Sequence, residues 1–172
     1  MMNVNEIMSI DVKTCKADSN LEYVAGLMWQ HDCGAIPVID DQNKPVGIIT
    51  DRDIAMAAML NHKPLWSLTP DDLIHEQTLC CCEQNDSLQY CLNEMKENGV
   101  RRILVTNADG TLAGIVSMGD IVAFTGNSHV KGNKAASKVN MLPVLGMLKG
   151  VSAHHMQPER PLVETNSNQN QQ

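Results

Sequence analysis

The sequence contains one pattern twice. Cys15 aligns with Cys82 at an offset of 67 residues, and the alignment continues without a gap through Ile54 and Ile121. Identical residues at this offset include the pairs Leu21 and Leu88, Tyr23 and Tyr90, Met28 and Met95, Gly47 and Gly114, and Asp53 and Asp120. Two copies are too few for a solenoid, so the repeat predicts two supersecondary units that bury their apolar faces against each other. The recurring aspartate needs its own explanation, because charged residues rarely recur for packing.

Charge and composition narrow the class of protein. The 172 residues carry a formal net charge of −7, which argues against nucleic-acid binding because such proteins usually present a basic face. No apolar run approaches the ~18 residues of a membrane span, and residues 1–6 lack the order of a signal peptide. Three of the six cysteines are consecutive, which is not a disulfide framework. We therefore expect a cytoplasmic protein that contacts neither nucleic acid nor membrane.

Each copy is predicted to form a strand, a helix, two strands and a second helix. Leading strands are expected at residues 10–15 and 78–82. In both copies apolar residues then follow a capping residue at the i, i+3, i+4, i+7 spacing of an amphipathic helix. These residues are Leu21, Val24, Ala25 and Met28 in the first copy, and Leu88, Cys91, Leu92 and Met95 in the second. A hairpin of two buried strands comes next, and a second helix follows, with its apolar side at Ile54, Ala55, Ala58 and Met59. The fold class is α+β, a sandwich with an approximate internal two-fold.

The expected boundaries follow from this pattern. The first unit with its linker occupies residues 1–68, the second unit residues 69–126, and a tail residues 127–172. Asparagine, glutamine, glycine and serine dominate much of the tail, a composition that predicts poor order because it buries little apolar surface. Residues 141–148 are the apolar exception, and they could dock on the core or on a partner chain.

Two tetrads in register carry the functional signal. Thr50, Asp51, Arg52 and Asp53 follow one return strand, and Ser117, Met118, Gly119 and Asp120 follow the other. A hydroxyl followed by an acid three residues later could simply be a capping box, although that motif prefers Glu or Gln. The same geometry also suits a ribonucleotide. The helix N-terminus and the hydroxyl can hold phosphate, the carboxylate can accept from both ribose hydroxyls, and the preceding glycine leaves room for a base.

The Gly-Ile-Ile-Thr-Asp-Arg-Asp run after an Ile-Pro-Val strand resembles the tandem cystathionine β-synthase (CBS) domain family, the Bateman module. The resemblance covers both copies and implies two pseudo-symmetric βαββα CBS motifs packed through their sheets, with two clefts that often bind adenosine ligands, and dimers shaped like a flat disc. It implies phosphate contacts at Thr50 and Ser117 and ribose contacts at Asp53 and Asp120. The strands flanking the base would be Ile36, Pro37 and Val38 in the first copy, and Ile103, Leu104 and Val105 in the second.

The second copy departs from the family pattern. Leu104 stands at the position of Pro37, and Met118 and Gly119 replace Asp51 and Arg52. The Asp53 site is therefore favoured over the Asp120 site. Arg52, Arg101 and Arg102 could neutralise phosphates, although the arginine pair at 101 and 102 could equally be surface residues with partly buried stems.

Other chemistry finds little support in the sequence. His31 with Cys33, and the cysteines at 80–82, lack the second pair of ligands that a structural zinc site needs, so no metal is expected. Cys15 and Cys82 are predicted to be small buried strand residues. No nucleophile, Walker or Rossmann motif is recognisable.

The leading hypothesis is a non-catalytic regulatory module with no bound cofactor. It would bind AMP, ADP or ATP between its repeats, form a homodimer and act on an unidentified protein. The alternatives are a structural dimerisation domain with empty clefts, and an enzyme or S-adenosylmethionine sensor.

Overall fold

The computed structural model describes residues 2–75, 79–126 and 141–152. The first copy contains α1 (Leu21–Gln30), β1 (Ala35–Ile39), β2 (Pro45–Thr50) and α2 (Asp51–Asn61), and α3 (Asp71–Ile74) leads into the second. The second copy contains β3 (Cys81–Glu83), α4 (Leu88–Glu97), β4 (Arg102–Thr106), β5 (Leu112–Ser117) and α5 (Met118–Gly126). Helix α6 (Met141–Ser152) follows, and 3₁₀ turns lie at Val4–Glu6 and Leu65–Ser67. The predicted α+β class is confirmed.

The two copies share the same strand register. β1 pairs antiparallel with β2, and β4 pairs antiparallel with β5, with β3 parallel at the edge of the second sheet. Ala35 lies opposite Thr50 just as Arg102 lies opposite Ser117, and the ladders shift register after Val38 and Val105 respectively. Since each equivalent pair differs by 67 residues, the sequence repeat extends to individual backbone pairs.

The predicted leading strands are much shorter than expected. In the first copy only Cys15 pairs, through an isolated parallel bridge to Val38. In the second, the strand covers Cys81–Glu83, and residues 76–78 at its predicted start lie outside the described residues. Residues 10–14 form no regular strand, because the chain there crosses from the second sheet, where Ser9 pairs with Ile115, to the first, where Cys15 pairs with Val38.

The helices follow the predicted apolar stripes with one exception. Asn20 and Ser87 cap α1 and α4 by accepting bonds from the third backbone amide of each helix. The first-helix stripes are buried as expected apart from Ala25, which is half-buried. In α2, Ile54 and Ala57 face the core, whereas Ala55 and Met59 are exposed. The prediction for those two residues was wrong because the helix turns a different side toward the sheet.

The segment that precedes each copy packs on the other copy, so the two segments are exchanged. Residues 2–9 form an arm that packs on the second copy, where the Val4 amide donates to the Asp86 carbonyl at 2.9 Å and both Val4 and Ile7 join the core. Residues 65–74 pack in the same manner on the first copy, where the Leu21 amide donates to the Leu68 carbonyl at 2.9 Å. Each core is thus completed by a segment that precedes the other repeat.

The apolar segment of the tail forms part of helix α6, which packs on α4 of the same chain. Val144, Met147 and Val151 are buried in the core of the second copy. A Cβ built on Gly150 would lie 2.7 Å from Lys96 Cγ, so the glycine permits close contact between the two helices. None of the helices in the described part of the chain has the length and hydropathy needed to cross a bilayer.

The predicted burial of the two matched cysteines is confirmed. Cys15 and Cys82 are 5% and 4% exposed. Burial raises the pKa of Cys15 to about 11, and a hydrogen bond with Cys91, together with burial, raises the pKa of Cys82. Because thiolates are the reactive form, both thiols are suited to packing rather than to chemistry.

Gly114 should be sensitive to substitution by alanine. A Cβ at this position would lie 2.7 Å from the Ser9 carbonyl oxygen, which is backbone and cannot rotate away. We expect Gly114→Ala to lower the free energy of unfolding by about 1–3 kcal/mol in urea titrations, the usual range for overpacking. Gly26 in α1 has no heavy atom within 4 Å of a built Cβ, so Gly26→Ala should instead raise stability by about 0.5–1 kcal/mol. Equal effects of the two substitutions would contradict the close approach of the arm.

Candidate functional site

Both tetrads form capping boxes at the start of a helix. The Thr50 amide and hydroxyl donate to Asp53 Oδ2 at 2.8 and 2.7 Å, and the Asp53 amide donates to Thr50 Oγ1 at 3.3 Å. The Ser117 amide and hydroxyl donate to Asp120 Oδ2 at 2.8 and 2.6 Å, and the Asp120 amide donates back to Ser117 Oγ at 3.2 Å. The prediction that each tetrad forms a capping box is therefore confirmed. One oxygen of each carboxylate accepts a hydrogen bond from the backbone amide at the start of its own helix.

The second carboxylate oxygen of Asp120 contacts the arm. Asp120 Oδ1 accepts a bond from the Ser9 hydroxyl at 3.3 Å. Ser9 is held there because its backbone forms an antiparallel bridge with Ile115, with N–O distances of 2.9 and 3.0 Å. The Asp120 carboxylate thus lies between the start of α5 and the arm.

A cleft of about 420 Å³ opens beside this carboxylate, between the two copies. Three separate stretches of the chain line it: the end of the arm with the residues that follow it to Lys13, the connection between α1 and β1, and parts of β4 and β5 with the start of α5. The lining residues are Ser9, Asp11, Val12, Lys13, His31, Asp32, Cys33, Gly34, Ala35, Arg102, Ile115, Ser117 and Asp120. The seam between the copies is therefore open at Asp120 rather than filled by side chains.

Arg102 lies in this cleft beside the capping serine. It is opposite Ser117 in the ladder, so both side chains are on the same face of the sheet. Its guanidinium Nη2 would lie 3.1 Å from a Cβ built on Gly34, and Asp51 Oδ2 would lie 3.4 Å from that point. The absence of a side chain at Gly34 leaves the space in which the Arg102 guanidinium lies.

The cleft holds charges of both signs. Lys13 Nζ donates to Asp11 Oδ1 at 2.7 Å, and this bond and the lysine charge lower the pKa of the Asp11 carboxyl. His31 lies near enough to lower the pKa of Asp11 further. Asp32 is in the left-handed region with φ 48°, a conformation that aspartate tolerates better than most residues. Polar groups suitable for a phosphate and for hydroxyls therefore meet in one cleft.

The predicted site residues fall into two groups. The structure brings Ser117, Asp120 and Arg102 together in the cleft, whereas Thr50 and Asp53 do not line it. Arg52 and Arg101 are exposed and do not line it either. By the repeat offset, the partners of Ser9, Ile10 and Asp11 beside Asp53 would be residues 76–78, which lie outside the described residues. The preference for the Asp53 site thus remains a prediction, and the cleft that the structure does describe is the one at Asp120.

The strands expected to flank the base are core strands. Ile36, Val38, Ile103 and Val105 are at most 1% exposed and belong to the two hydrophobic cores. Pro37, on the opposite face of β1, is also buried and does not line the cleft. Of β1 and β4, only the first residues, Ala35 and its repeat equivalent Arg102, line the cleft at Asp120. The expectation that the middle of these strands contacts a base stays a prediction.

Other residues of the chain fill the space next to the two strand glycines, Gly47 and Gly114. A Cβ on Gly47 would lie 2.6 Å from the Ile74 side chain, and one on Gly114 would lie 2.7 Å from the Ser9 carbonyl. The predicted room for a base is thus taken by the exchanged segments.

Several lining residues were not found by sequence reasoning. Ser9 ends the arm and Asp11 and Lys13 follow it, and no local pattern indicates that this stretch crosses between the copies. The sequence suggests His31 and Cys33 only as metal ligands, yet both line the cleft. Among the described residues no group of three histidine, cysteine or acidic side chains could hold a metal ion.

Comparisons with known proteins agree with this architecture. Models of the CBS domain match residues 4–60 and 62–126. The CBS domain-containing protein YhcV of Bacillus subtilis is 31% identical over 121 residues, covering 70% of this chain and 84% of that protein. An uncharacterised protein of Methanopyrus kandleri, MK0525, is 27% identical over 125 residues, and the match spans 70% of this chain and 61% of the relative.

Solved structures show the same fold. Hypoxic response protein 1 of Mycobacterium tuberculosis is 31% identical over 121 residues. A crystal structure of Hypoxic Response Protein I with two coordinated zinc ions matches at a TM-score of 0.63, over 72% of this chain and 98% of that chain. The CBS domain pair of MJ0100, in complex with 5′-methylthioadenosine and S-adenosyl-L-methionine, matches at 0.66 with 23% identity over 74% and 98%. CBSX2 in complex with AMP matches at 0.61 with 23% identity over 72% and 95%.

Two successive domain matches, a shared strand register and the fold of solved CBS pairs lead to one conclusion. This chain belongs to the CBS domain family and carries two CBS domains in tandem.

Proposed function

We propose that the chain is a non-catalytic regulatory module that binds an adenine nucleotide, AMP, ADP or ATP, between its two CBS domains. The observation that carries the proposal is the open cleft of about 420 Å³ at the start of α5, where Ser117, Asp120 and Arg102 meet. Such a volume falls within the range of small-molecule sites, about 300–1,000 Å³.

The contacts available in the cleft match the parts of a nucleotide. Asp120 Oδ1 accepts a bond from the hydroxyl of Ser9, an exposed residue. A ribose hydroxyl can replace the serine hydroxyl at little cost in free energy, because the exposed serine can bond to water instead. The N-terminus of α5 and the Arg102 guanidinium suit a phosphate group. Apolar surface for a base is available at Val12 and Ile115.

Two structural neighbours bind molecules of this class. MJ0100 is described with 5′-methylthioadenosine and S-adenosyl-L-methionine, and CBSX2 with AMP. At 23% identity these neighbours establish the fold, and they support an adenosine ligand here only by analogy. A second site at Thr50, Asp53 and Arg52, as the sequence predicts, is part of the same proposal.

The two matched aspartates provide a direct test. Asp120→Ala and Asp53→Ala remove equivalent pairs of capping bonds, and Asp120→Ala also removes the long bond from the exposed Ser9 hydroxyl. Each should lower the free energy of unfolding by about 1 kcal/mol. If AMP binds in the described cleft, Asp120→Ala should abolish the heat of AMP titration there, while Asp53→Ala should retain it. Isothermal titration calorimetry with AMP, ADP and ATP measures this, and urea unfolding checks that the caps are equally affected.

An empty cleft is the competing outcome. Both carboxylates already serve as caps, which is what a purely structural dimerisation domain would require. A ligand present at 100 times its dissociation constant adds about 2.7 kcal/mol to stability, so thermal melting with saturating nucleotide should shift clearly. Unchanged melting and no heat with any of the three nucleotides would favour the structural alternative. Mass spectrometry of ligand retained during purification would reveal S-adenosylmethionine.

A homodimer is the second part of the proposal. Met56, Met59 and Leu60 of α2 are 42%, 44% and 53% exposed and lie at i, i+3 and i+4 on one side of the helix. The equivalent helix α5 also exposes Val122. A second copy of the chain would cover this apolar stripe, and the regulated protein would then meet the assembled pair.

Replacing the centre of the stripe should prevent association. We expect Met59→Lys to shift the chain from dimer to monomer in analytical ultracentrifugation, because a buried unpaired ammonium opposes the interface. Gln89→Lys, at an exposed position of α4, is the matched charge control and should leave the mass unchanged. A wild-type protein that sediments as a monomer at high concentration would refute the dimer.

A further inference from the structure

The charges that line the cleft limit how much negative charge it can accept. Two side chains carry full positive charge, Lys13 and Arg102, and three carry negative charge, Asp11, Asp32 and Asp120. The sum of these five charges is therefore −1. A strongly cationic cleft would be expected if the ligand were a triphosphate, since each phosphate needs compensation where water is partly excluded.

Only one of these cations is available to a ligand. Lys13 is engaged with Asp11 at 2.7 Å, and separating that pair would leave the carboxylate uncompensated beside the incoming anion. Arg102 takes part in none of the ion pairs within 4.0 Å among the described residues. Its guanidinium lies over Gly34, on the same face as the Ser117 hydroxyl. This is a place for a single anionic group.

Each of the three stretches that line the cleft carries an acidic side chain. Asp32 borders the cleft on the connection between α1 and β1, Asp11 just after the arm, and Asp120 at the start of α5. Asp51 Oδ2 and the Arg102 guanidinium both lie close to a Cβ built on Gly34, at 3.4 and 3.1 Å. A chain of phosphates extending beyond Arg102 would therefore approach carboxylates rather than further cations, and like charges repel.

We propose that this cleft selects an adenosine ligand with one anionic group and discriminates against di- and triphosphates, with Arg102 as the residue that determines specificity. The inference rests on the function proposed above and names the ligand class for the Asp120 site. The phosphate of AMP and the carboxylate of S-adenosylmethionine both provide such a group. The charge of −1 around the site suits these ligands better than ATP.

The test is a set of calorimetric titrations at fixed ionic strength with EDTA, because divalent ions would mask the charge of the phosphates. The ligands are adenosine, AMP, ADP, ATP and S-adenosylmethionine. We expect the wild type to bind AMP or S-adenosylmethionine at least about tenfold more tightly than ATP, a modest effect for charges at this separation. Whichever of the two binds more tightly identifies the source of the anionic group.

Two substitutions separate the contributions. Arg102→Gln should reduce the affinity for the preferred ligand to that for adenosine, while leaving adenosine binding unchanged. Asp32→Asn removes one acid without straining the backbone, since asparagine accepts the left-handed φ of 48° at this position, and it should narrow the gap between ATP and AMP. Lys63→Gln, which removes an exposed cation that does not line the cleft, is the control and should change nothing.

The outcomes distinguish this inference from the function on which it rests. ATP binding as tightly as AMP to the wild type, with Asp120→Ala abolishing both, would overturn the charge limit and leave the nucleotide site intact. Loss of adenosine binding in Arg102→Gln would show that the arginine supports the cleft as a whole and would overturn its assigned role. No heat with any of the five ligands would remove the proposed function itself.

Discussion

The exchange of segments between the copies is the constraint on which the remainder of the structure depends. Residues 2–9 complete the core of the second CBS domain, and residues 65–74 complete the core of the first. The apolar contacts of Val4, Ile7 and Leu68 are made across the repeat, so neither domain has a full core without residues that precede the other. A small domain that buries too little apolar surface is marginal by itself, and the exchange removes that problem by making the pair a single folding unit.

The same exchange brings the candidate site together. The arm enters beside β5, and its backbone pairs with Ile115. This places the Ser9 hydroxyl within hydrogen-bond distance of the Asp120 carboxylate and Lys13 in the lining of the cleft. The capping box therefore has two roles that do not compete. One carboxylate oxygen holds the start of α5, and the other is directed at a hydroxyl that belongs to a different segment. A binding role and a capping role for the tetrad are compatible, although the sequence presents them as alternatives.

The sequence predicted those features that depend on local periodicity and on the repeat. The offset of 67 residues anticipated equivalent hairpins, and the structure extends it to the register of Ala35 with Thr50 and Arg102 with Ser117. Apolar spacing identified the inner face of α1 and α4. It failed in α2, where Ala55 and Met59 are exposed, because small and flexible residues give a weak stripe.

Features that depend on long-range crossing could not be predicted. Residues 10–14 alternate in polarity as a strand would, yet they run between the domains. Nothing local to Gly47 and Gly114 reveals that the chain fills the space above them. The cleft residues Asp11, Lys13 and His31 carry no motif, and they meet only once the arm has crossed. Family resemblance pointed to both aspartates but favoured Asp53, because the second copy keeps only the hydroxyl and the acid of the tetrad. The described cleft lies at Asp120, the copy that departs more from the family pattern.

The cleft is assembled from residues 9–13, 31–35 and 102–120, and these three stretches come together only in the complete fold. A molecule bound there would stabilise the complete fold, because the cleft is lost once the arm detaches or the two domains separate. Its binding energy would then add to global stability rather than to that of a single loop. Since proteolytic turnover follows the population of open chains when reclosing is fast, the lifetime of the protein would rise and fall with the concentration of its occupant.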